Sequence, residues 1–356
     1  MQVLGLDIGG ANIKAATDTA EAISVSFDIW RNPDHLSQVL TPIVSQFAAA
    51  KLLAVTMTAE LADCFASKAE GIDRILRSVE SVAAGRPIRV WQTSGEFVEP
   101  EIARDEPCLT AAANWHAQAT FVGRLVSRGS ALLIDIGSTT SDLIPLVNGF
   151  PLPTGRTDTE RLQSGELVYC GVRRTPLCAI AERVPLGESE VAVAAELFAT
   201  TLDVYLLTSE IADDPLNTAT ANGRQATAEA AHDRIARMLC ADRTEVSIND
   251  ARRIAEFIAN RQLDRLTESA NLVAERLPHP CGTALISGSG AFLARKVAAN
   301  ADRLRQAQII SLPELFGPRV ADSACAFAVA KLAAERELPF LIDSTTIPVF
   351  IQRGNS

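Results

Sequence analysis

The sequence predicts an α/β protein built from two related halves, and three short segments carry this prediction. Residues 2–14 read QVLGLDIGGANIK and residues 131–142 read ALLIDIGSTTSD, so an apolar strand ends in Asp-Ile-Gly twice in one chain. Residues 283–293 read TALISGSGAFL, a third apolar strand followed by a glycine turn. Glycine at a strand end permits positive φ and lets the backbone approach a ligand closely. The repeated segment predicts two related half-molecules that face one ligand across a cleft.

The first half reads as an α/β domain over residues 1–129. Its predicted elements, taken from apolar periodicity and breaker residues, are strands at 2–7, 11–17 and 22–28, a helix at 34–50, a strand at 52–56, a helix at 66–84, a strand at 88–91 and a helix at 109–126. The run Ser127-Arg128-Gly129-Ser130 interrupts the pattern before the second half.

The second half, residues 130–320, begins with the same hairpin pattern. Its predicted elements are strands at 131–136 and 141–147, a hairpin turn at Asn148-Gly149 with a short strand to Leu152, an irregular arginine-rich segment at 153–176, a helical insertion at 190–275 with a buried helix over 191–211, and a strand, helix and strand within 283–312. A helix at 321–336 and an apolar tail at 340–351 follow, and segment 321–356 is predicted to pack back on the first domain.

The composition is that of a globular protein with small-molecule partners. The chain has 356 residues, 47% of them hydrophobic and 21% charged, which is enough for two cores. Its formal net charge of −10 argues against nucleic acid or an anionic membrane as the main partner. No basic region precedes an apolar stretch at the N-terminus, and the seven cysteines are scattered, which favours reduced thiols. We expect a cytoplasmic protein without a membrane span.

The three glycine turns are the candidate phosphate-binding elements. Successive N–H groups and hydroxyls in such turns form a concavity that suits phosphate oxygens. The residues concerned are Gly9, Gly10 and Lys14 in the first turn, Gly137, Ser138, Thr139 and Thr140 in the second, and Ser287, Gly288, Ser289 and Gly290 in the third. A lysine on the solvated face of a strand is the alternative for Lys14, and a simple βα turn is the alternative for the third segment.

Asp7 and Asp135 are the candidate catalytic and metal-binding residues. Each follows an apolar strand directly before a glycine turn, where an unpaired charge is costly. Such a carboxylate can hold Mg²⁺ through its water shell or accept a proton from a nucleophile. The alternative is a capped turn in which each carboxylate accepts backbone N–H bonds.

A further group of residues lies where substrate contacts are expected. Thr58, Glu60 and Lys68 follow the strand at 52–56, at the edge where parallel sheets bind ligands, and Glu60 is a candidate base. Glu60 can equally serve as a charge at a helix start.

The irregular segment adds four candidates for substrate binding. Arg173 and Arg174 precede a proline, and arginine matches diphosphate or carboxylate bidentately, although a solvated loop pair is the alternative. Asp158 and Arg161, in the same irregular segment, are candidate lid residues.

The repeat resembles the duplicated ribonuclease-H-like fold of actin, sugar kinases and heat-shock chaperones. Within that superfamily, the run Asp135–Asp142 and the stretches at 58–71, 165–176 and 231–240 resemble the hydantoinase A/oxoprolinase family. They are similar in particular to its small members in tetrahydromethanopterin-linked one-carbon metabolism, whose archaeal relatives act in methanofuran biosynthesis. Ordinary hydantoinases are far longer, and Lys14 stands where they commonly carry an acidic residue, which argues against hydantoin ring opening.

The resemblance implies a transferase that joins a furanyl-methyl diphosphate to a tyramine-type phenol and releases diphosphate, with Mg²⁺ held through Asp7 or Asp135. Three alternatives stay open: an ATP-dependent small-molecule kinase or ATPase, a hydantoinase-like hydrolase, and a non-catalytic nucleotide-sensing scaffold. ATP is not required by the first interpretation. The expected partner is a small phosphate or diphosphate compound, and a homodimer is an open alternative to a monomer.

Overall fold

The computed structural model describes residues 2–336. The strands are β1 (Gln2–Ile8), β2 (Asn12–Thr17), β3 (Ala22–Ser26), β4 (Ala50–Met57), β5 (Ile88–Trp91), β6 (Phe97–Val98), β7 (Ser130–Ile136), β8 (Ser141–Val147), β9 (Phe150–Pro151), β10 (Leu167–Val168), β11 (Arg183–Leu186), β12 (Ser189–Ala192), β13 (Cys281–Ser287) and β14 (Gln308–Ser311). The tail predicted at 340–351, and the part of the predicted C-terminal segment beyond residue 336, lie outside the described residues.

The helices lie singly or in groups between these strands and after the last of them. They are α1 (Leu36–Gln46), α2 (Lys68–Val82), α3 (Pro100–Asp105), α4 (Pro107–Thr110), α5 (Asn114–Val122), α6 (Asp158–Ser164), α7 (Thr201–Leu207), α8 (Ala228–Arg237), α9 (Ile248–Glu275), α10 (Ala291–Asn300), α11 (Leu312–Phe316), α12 (Pro318–Asp322) and α13 (Ala324–Arg336). Among residues 2–336, no helix is long and apolar enough to cross a membrane.

The chain divides into two compact units. Among residues 2–336, the first contains residues 2–121 and 323–336, and the second contains Val122–Asp322. The domain boundaries predicted above, between residues 129 and 130 and between 320 and 321, stay predictions.

The first unit is built on a six-stranded sheet of order β3-β2-β1-β4-β5-β6. β1 pairs antiparallel with β2 and parallel with β4, and both of its faces are buried, so its sequence is nearly continuously apolar. Leu4, Leu6 and Ile8 belong to a core that also contains α1 and α2 residues. On the opposite face, α13 packs against β1, β2 and β4, and its Leu332 shares a cluster with Val3.

The second unit is built on a sheet of order β10-β8-β7-β13-β14, with β9 paired to β8. β7 pairs antiparallel with β8 and parallel with β13, as β1 pairs with β2 and β4 in the first unit. The main core of this unit joins the sheet to α7, α8, α9 and α10. A separate two-stranded hairpin, β11-β12, lies outside the main sheet.

Each unit begins with the predicted three-stranded antiparallel arrangement, and this prediction is confirmed. The strands are β1-β2-β3 in the first unit and β7-β8-β9 in the second. Asp7 lies opposite Lys14 and Asp135 lies opposite Asp142, so both aspartates occupy the same register position of their hairpins.

The turn between β8 and β9 is a two-residue hairpin, as its sequence predicts. Asn148 and Gly149 have φ of 51° and 86°, and Val147 pairs with Phe150 across the turn. Positive φ at both central positions matches the twist of the flanking strands, which is why Asn-Gly favours this turn.

Two of the predicted segments are wrong in detail. The helix predicted over 191–211 is confined to α7, because Thr200 and Asp203 form a capping box that starts the helix there. Segment 153–176 is not wholly irregular, because it contains α6 and β10. α6 begins at a capping box of Thr157 with Glu160 and ends at the left-handed Gly165. Both are signals that the sequence carries.

Candidate functional site

The first glycine turn closes the hairpin between β1 and β2. The Gly9 amide donates to the Asn12 carbonyl at 3.0 Å, and the Thr58 amide, just after β4, donates to the Ile8 carbonyl at 3.0 Å. Asp7 is 7% exposed at the end of β1. Lys14 is half-buried on β2, directly opposite Asp7, so the two side chains lie on the same face of the sheet.

The second glycine turn has the same construction between β7 and β8. The Gly137 amide donates to the Thr140 carbonyl at 2.8 Å, as Gly9 does to Asn12. Ser138, Thr139 and Thr140 are half-buried, so their backbone and hydroxyl groups line the surface of the turn. The structure therefore repeats the turn as well as the strands.

The third turn packs directly against Asp135. Ser287 pairs in register with Asp135, and the Gly290 amide donates to the Ile136 carbonyl at 2.8 Å. Gly288 has φ of +83°, and a Cβ atom there would overlap the Ile136 carbonyl and lie 2.5 Å from Asp135 Oδ1. Only glycine can be accommodated at so short a distance from the Ile136 carbonyl. The parallel pairing of β7 and β13 therefore brings the second and third turns into direct contact at Gly288.

The arginine segment folds over the second turn. The Val172 amide donates to the Gly137 carbonyl at 3.0 Å, and the amides of Arg173 and Arg174 both donate to the Ser138 carbonyl at 3.0 Å. The Arg173 side chain is half-buried, whereas Arg174 is exposed. The turn that follows Asp135 is thus contacted by backbone from two other parts of the second unit, residues 172–174 and residue 290.

A buried polar network behind this segment was not predicted from the sequence. Gln262 Nε2 on α9 donates to the Gly171 carbonyl at 3.0 Å and contacts Cys170 Sγ at 3.1 Å. The Tyr205 hydroxyl donates to Gln262 Oε1 at 2.7 Å, and Thr201 Oγ1 donates to the Gly171 carbonyl at 2.8 Å.

This network fixes the backbone that covers the turn. Burial raises the pKa values of Tyr205 and Cys170, which therefore stay neutral. A Cβ atom on Gly171 would lie 2.5 Å from the Thr139 amide nitrogen, so any larger residue would push the segment off the turn. No sequence signal reveals these contacts, because Gln262 lies 91 residues from Gly171.

Asp158 and Arg161 lie on α6 and not in an irregular lid. The Arg161 side chain is 1% exposed, and its Nη2 lies 2.5 Å from Asp142 Oδ1 while its Nη1 lies 3.4 Å from Asp158 Oδ1. Because Asp142 is opposite Asp135, Arg161 supplies positive charge near Asp135 through an ion pair. A direct contact of Asp158 or Arg161 with substrate stays a prediction.

The remaining predicted residues of the first unit follow β4. Thr58 is exposed, Glu60 is only 2% exposed, and Lys68 is the half-buried first residue of α2. Ser67 caps this helix by accepting a hydrogen bond from the Glu70 amide at 3.2 Å. Their roles as base and substrate contacts stay predictions.

The aspartates suit a cation that keeps most of its water. Among residues 2–336 there is no group of three or more His, Cys, Asp or Glu side chains that could hold a metal ion. Mg²⁺ is usually bound by one or two carboxylates and by substrate phosphates, with water completing its octahedron. Asp7 in the first unit and Asp135 in the second each lie at a strand end beside a glycine turn, and each could supply one such carboxylate.

These two hairpins, with a parallel strand beside each, define a duplicated ribonuclease-H-like fold of the actin and sugar-kinase type. The fold is also that of a solved nucleotide-free acetone carboxylase, with a TM-score of 0.53 at 10% identity over 92% of this chain and 70% of that chain. The hydantoinase/oxoprolinase family profile matches residues 51–336. The chain belongs to this family of enzymes.

Two archaeal relatives carry the same name, (4-{4-[2-(gamma-L-glutamylamino)ethyl]phenoxymethyl}furan-2-yl)methanamine synthase. The protein from Methanocaldococcus jannaschii is 32% identical over 335 residues, which cover 93% of this chain and 97% of that protein. The protein from Methanococcus vannielii is 29% identical over 214 residues, which cover 60% of this chain and 95% of that protein. The resemblance to the hydantoinase A/oxoprolinase family and to archaeal methanofuran-biosynthesis synthases is thereby confirmed.

Proposed function

We propose that this protein is a transferase that joins a furanyl-methyl diphosphate to a tyramine-type phenol, in the biosynthesis of a methanofuran-like cofactor. The observation that carries the proposal is the packing of the third glycine turn against Asp135 and the second turn, with the backbone at residues 172–174 hydrogen-bonded to that second turn. Such a concavity of amides and hydroxyls suits a diphosphate group. The product named for the two relatives supports the acceptor, because it contains a phenoxymethyl group on a furan.

The reaction forms one carbon–oxygen bond and breaks another. The phenolic oxygen attacks the furan methylene carbon, and the bond from that carbon to the diphosphate oxygen breaks with its electron pair leaving on diphosphate. The phenolic proton passes to a carboxylate, for which Glu60 and Asp135 are the candidates. N–H donors at the turns stabilise the leaving group, because their bonds strengthen as negative charge develops on it.

Mg²⁺ is the expected cofactor, and Asp7 or Asp135 would hold it through water. When bound, the ion would neutralise charge on the diphosphate and assist its departure. Arg173 would bind the diphosphate by its guanidinium. This reaction does not require ATP. We place the activity in the cytoplasm and leave a monomer or a homodimer open.

The proposal is tested by assaying diphosphate release from an aminomethylfuran-methyl diphosphate with and without γ-glutamyl-tyramine. We expect release to depend on the phenol and on Mg²⁺. Turnover of labelled ATP that needs no furan diphosphate would instead indicate a kinase or ATPase. Tight nucleotide binding without any turnover would indicate a sensing scaffold. Either result would overturn the transferase proposal.

The first mutational prediction concerns Asp135. Asp135→Asn keeps the size and most hydrogen bonds but removes the charge that binds a cation or accepts a proton. We expect a folded protein whose turnover falls about a hundredfold or more. The thermal midpoint is the control, because a large drop would indicate that Asp135 caps the turn, whereas unchanged activity would remove it from the catalytic site.

A further inference from the structure

A row of polar side chains crosses the first sheet at the position of Asp7. Lys14 on β2 and Thr56 on β4 are the register partners of Asp7 on its two sides. Side chains at the same register of neighbouring strands project from the same face of a sheet. Lys14, Asp7 and Thr56 therefore lie side by side where β1 and β4 end.

The second sheet repeats this row. Asp142 on β8 and Ser287 on β13 are the register partners of Asp135. In both units the parallel neighbour of the aspartate is a hydroxyl residue, Thr56 in the first and Ser287 in the second. Both hydroxyl residues are fully buried, at 0% exposure. Ser287 opens the third glycine turn, whereas Thr56 lies outside every glycine turn and motif of the sequence.

The Thr56 hydroxyl lowers the stability of the fold when no ligand is bound. Its Oγ1 atom is buried and has no hydrogen-bond partner among residues 2–336. A buried hydroxyl without a partner destabilises a protein, and a valine of nearly the same shape would remove that penalty. The Thr56 hydroxyl lies beside Asp7 as Ser287 lies beside Asp135. This position points to an interaction that the hydroxyl makes only when a ligand is bound.

We propose that Thr56 is a ligand-binding residue of the first unit, whose hydroxyl and the Asp7 carboxylate together bind oxygen atoms of a hydrated magnesium–diphosphate complex. The hydroxyl can donate to a phosphate or water oxygen, and the neighbouring carboxylate accepts from the water shell of the cation. The inference rests on the proposed function, because magnesium and diphosphate are the ligands that this function requires.

The test is calorimetric binding of inorganic diphosphate with Mg²⁺ to the full chain and to Thr56→Val, without any turnover. We expect about tenfold weaker binding in the variant, the loss of roughly one hydrogen bond. Its thermal midpoint without ligand should be equal or higher, because an unpartnered buried hydroxyl has been removed. Thr56→Ser keeps the hydroxyl and should bind as the unchanged chain does.

Thr267→Val on α9 is the matched control, because Thr267 Oγ1 is also buried without a partner among residues 2–336. It should leave the binding of magnesium diphosphate unchanged. Equal affinity of Thr56→Val and the unchanged chain would overturn the role of Thr56 and leave the proposed function standing. Failure of the unchanged chain to bind magnesium diphosphate would overturn both.

Discussion

The two aspartates occupy one register position but have different neighbours across the hairpin. Asp7 faces Lys14, a cation, whereas Asp135 faces a second carboxylate, Asp142. The buried Arg161 compensates this difference by its ion pair with Asp142. A positive group therefore accompanies each aspartate, directly in the first unit and through an ion pair in the second. The two sheets thus place a positive charge near each aspartate by means of different residues.

The side chains of Arg173 and Arg174 can be altered without removing their contact with the second turn, because each residue donates its backbone amide to the Ser138 carbonyl. Arg173→Ala should leave the backbone bond to Ser138 in place and remove one charged partner of the diphosphate. We expect KM to rise about tenfold or more with little change in kcat, since a hydrogen bond to a charged group contributes about 1.5–3 kcal/mol. Steady-state kinetics measures this split.

Arg174→Ala, assayed in parallel, shows whether the exposed neighbour also contacts substrate. Arg183→Ala provides the control, because this exposed arginine lies on the separate hairpin β11-β12. A fall in kcat at unchanged KM for Arg173→Ala would contradict a pure binding role and place its guanidinium in the transition state.

At the scale of elements, the parallel pairing of β7 and β13 makes the candidate site. This pairing places the loop after β13 against the turn after β7. Gln262 on α9 donates to the Gly171 carbonyl and so holds the segment at 170–175 against these turns. The first sheet uses the same geometry, because the loop after β4 donates the Thr58 amide to Ile8. The candidate binding loops thus lie where neighbouring parallel strands end, which is the usual position of binding loops in α/β folds.

Gly288→Ala tests this close approach of two turns. The new methyl group would overlap the Ile136 carbonyl and crowd Asp135 Oδ1 in a left-handed conformation. We expect the free energy of unfolding of the second unit to fall by about 2–4 kcal/mol, with loss of diphosphate binding, since strain and overlap add. Denaturant unfolding and calorimetry measure the two effects.

Gly223→Ala is the matched control for that substitution. Gly223 is also left-handed, with φ of +72°, but a Cβ atom there would meet nothing within 4 Å. Its cost should be limited to backbone strain of about 1 kcal/mol, with ligand binding unchanged. Equal effects of the two substitutions would show that crowding at Asp135 is unimportant.

At the scale of the whole chain, the first unit is assembled from both ends of the sequence. α13 begins more than 200 residues after Phe121, yet it packs against β1, β2 and β4 of the first unit. Its Val329 and Leu332 share a cluster with Leu52 and Trp91, all fully buried. One face of the first sheet therefore stays uncovered until the end of the chain, with α13, has been synthesised.

A chain that ends at Asp322 should lose the folded first unit, because one face of its sheet would be exposed to water. Burial of a large apolar side chain contributes about 1.5–3 kcal/mol, and α13 supplies several such side chains. Hydrogen exchange should show loss of protection in β1 and β4, while β7 and β13 stay protected. Full protection of β1 in the shortened chain would show that α13 is dispensable for the fold.

Local signals in the sequence were sufficient for most of the strands and for the two aspartate hairpins. Asp7-Ile8-Gly9 and Asp135-Ile136-Gly137 could be recognised because strand, carboxylate and glycine follow one another within a few residues. The Asn148-Gly149 turn was equally clear, since its backbone angles demand those residue types. The prediction of a helix over 191–211 is wrong because a buried helix and a buried loop have similar apolar composition. Only the capping box marks where α7 begins.

The candidate site itself depends on contacts between residues far apart in sequence. Thr56 stands beside Asp7, Ser287 beside Asp135 and Gln262 behind Gly171 only because strands and helices pack in one particular order. A threonine inside an apolar strand gives no local sign of its neighbours, since its surroundings are set by the register of the strand next to it. Periodicity and turn chemistry therefore determined the strands and their glycine turns, whereas the pairing of β1 with β4 and of β7 with β13 decided which side chains meet.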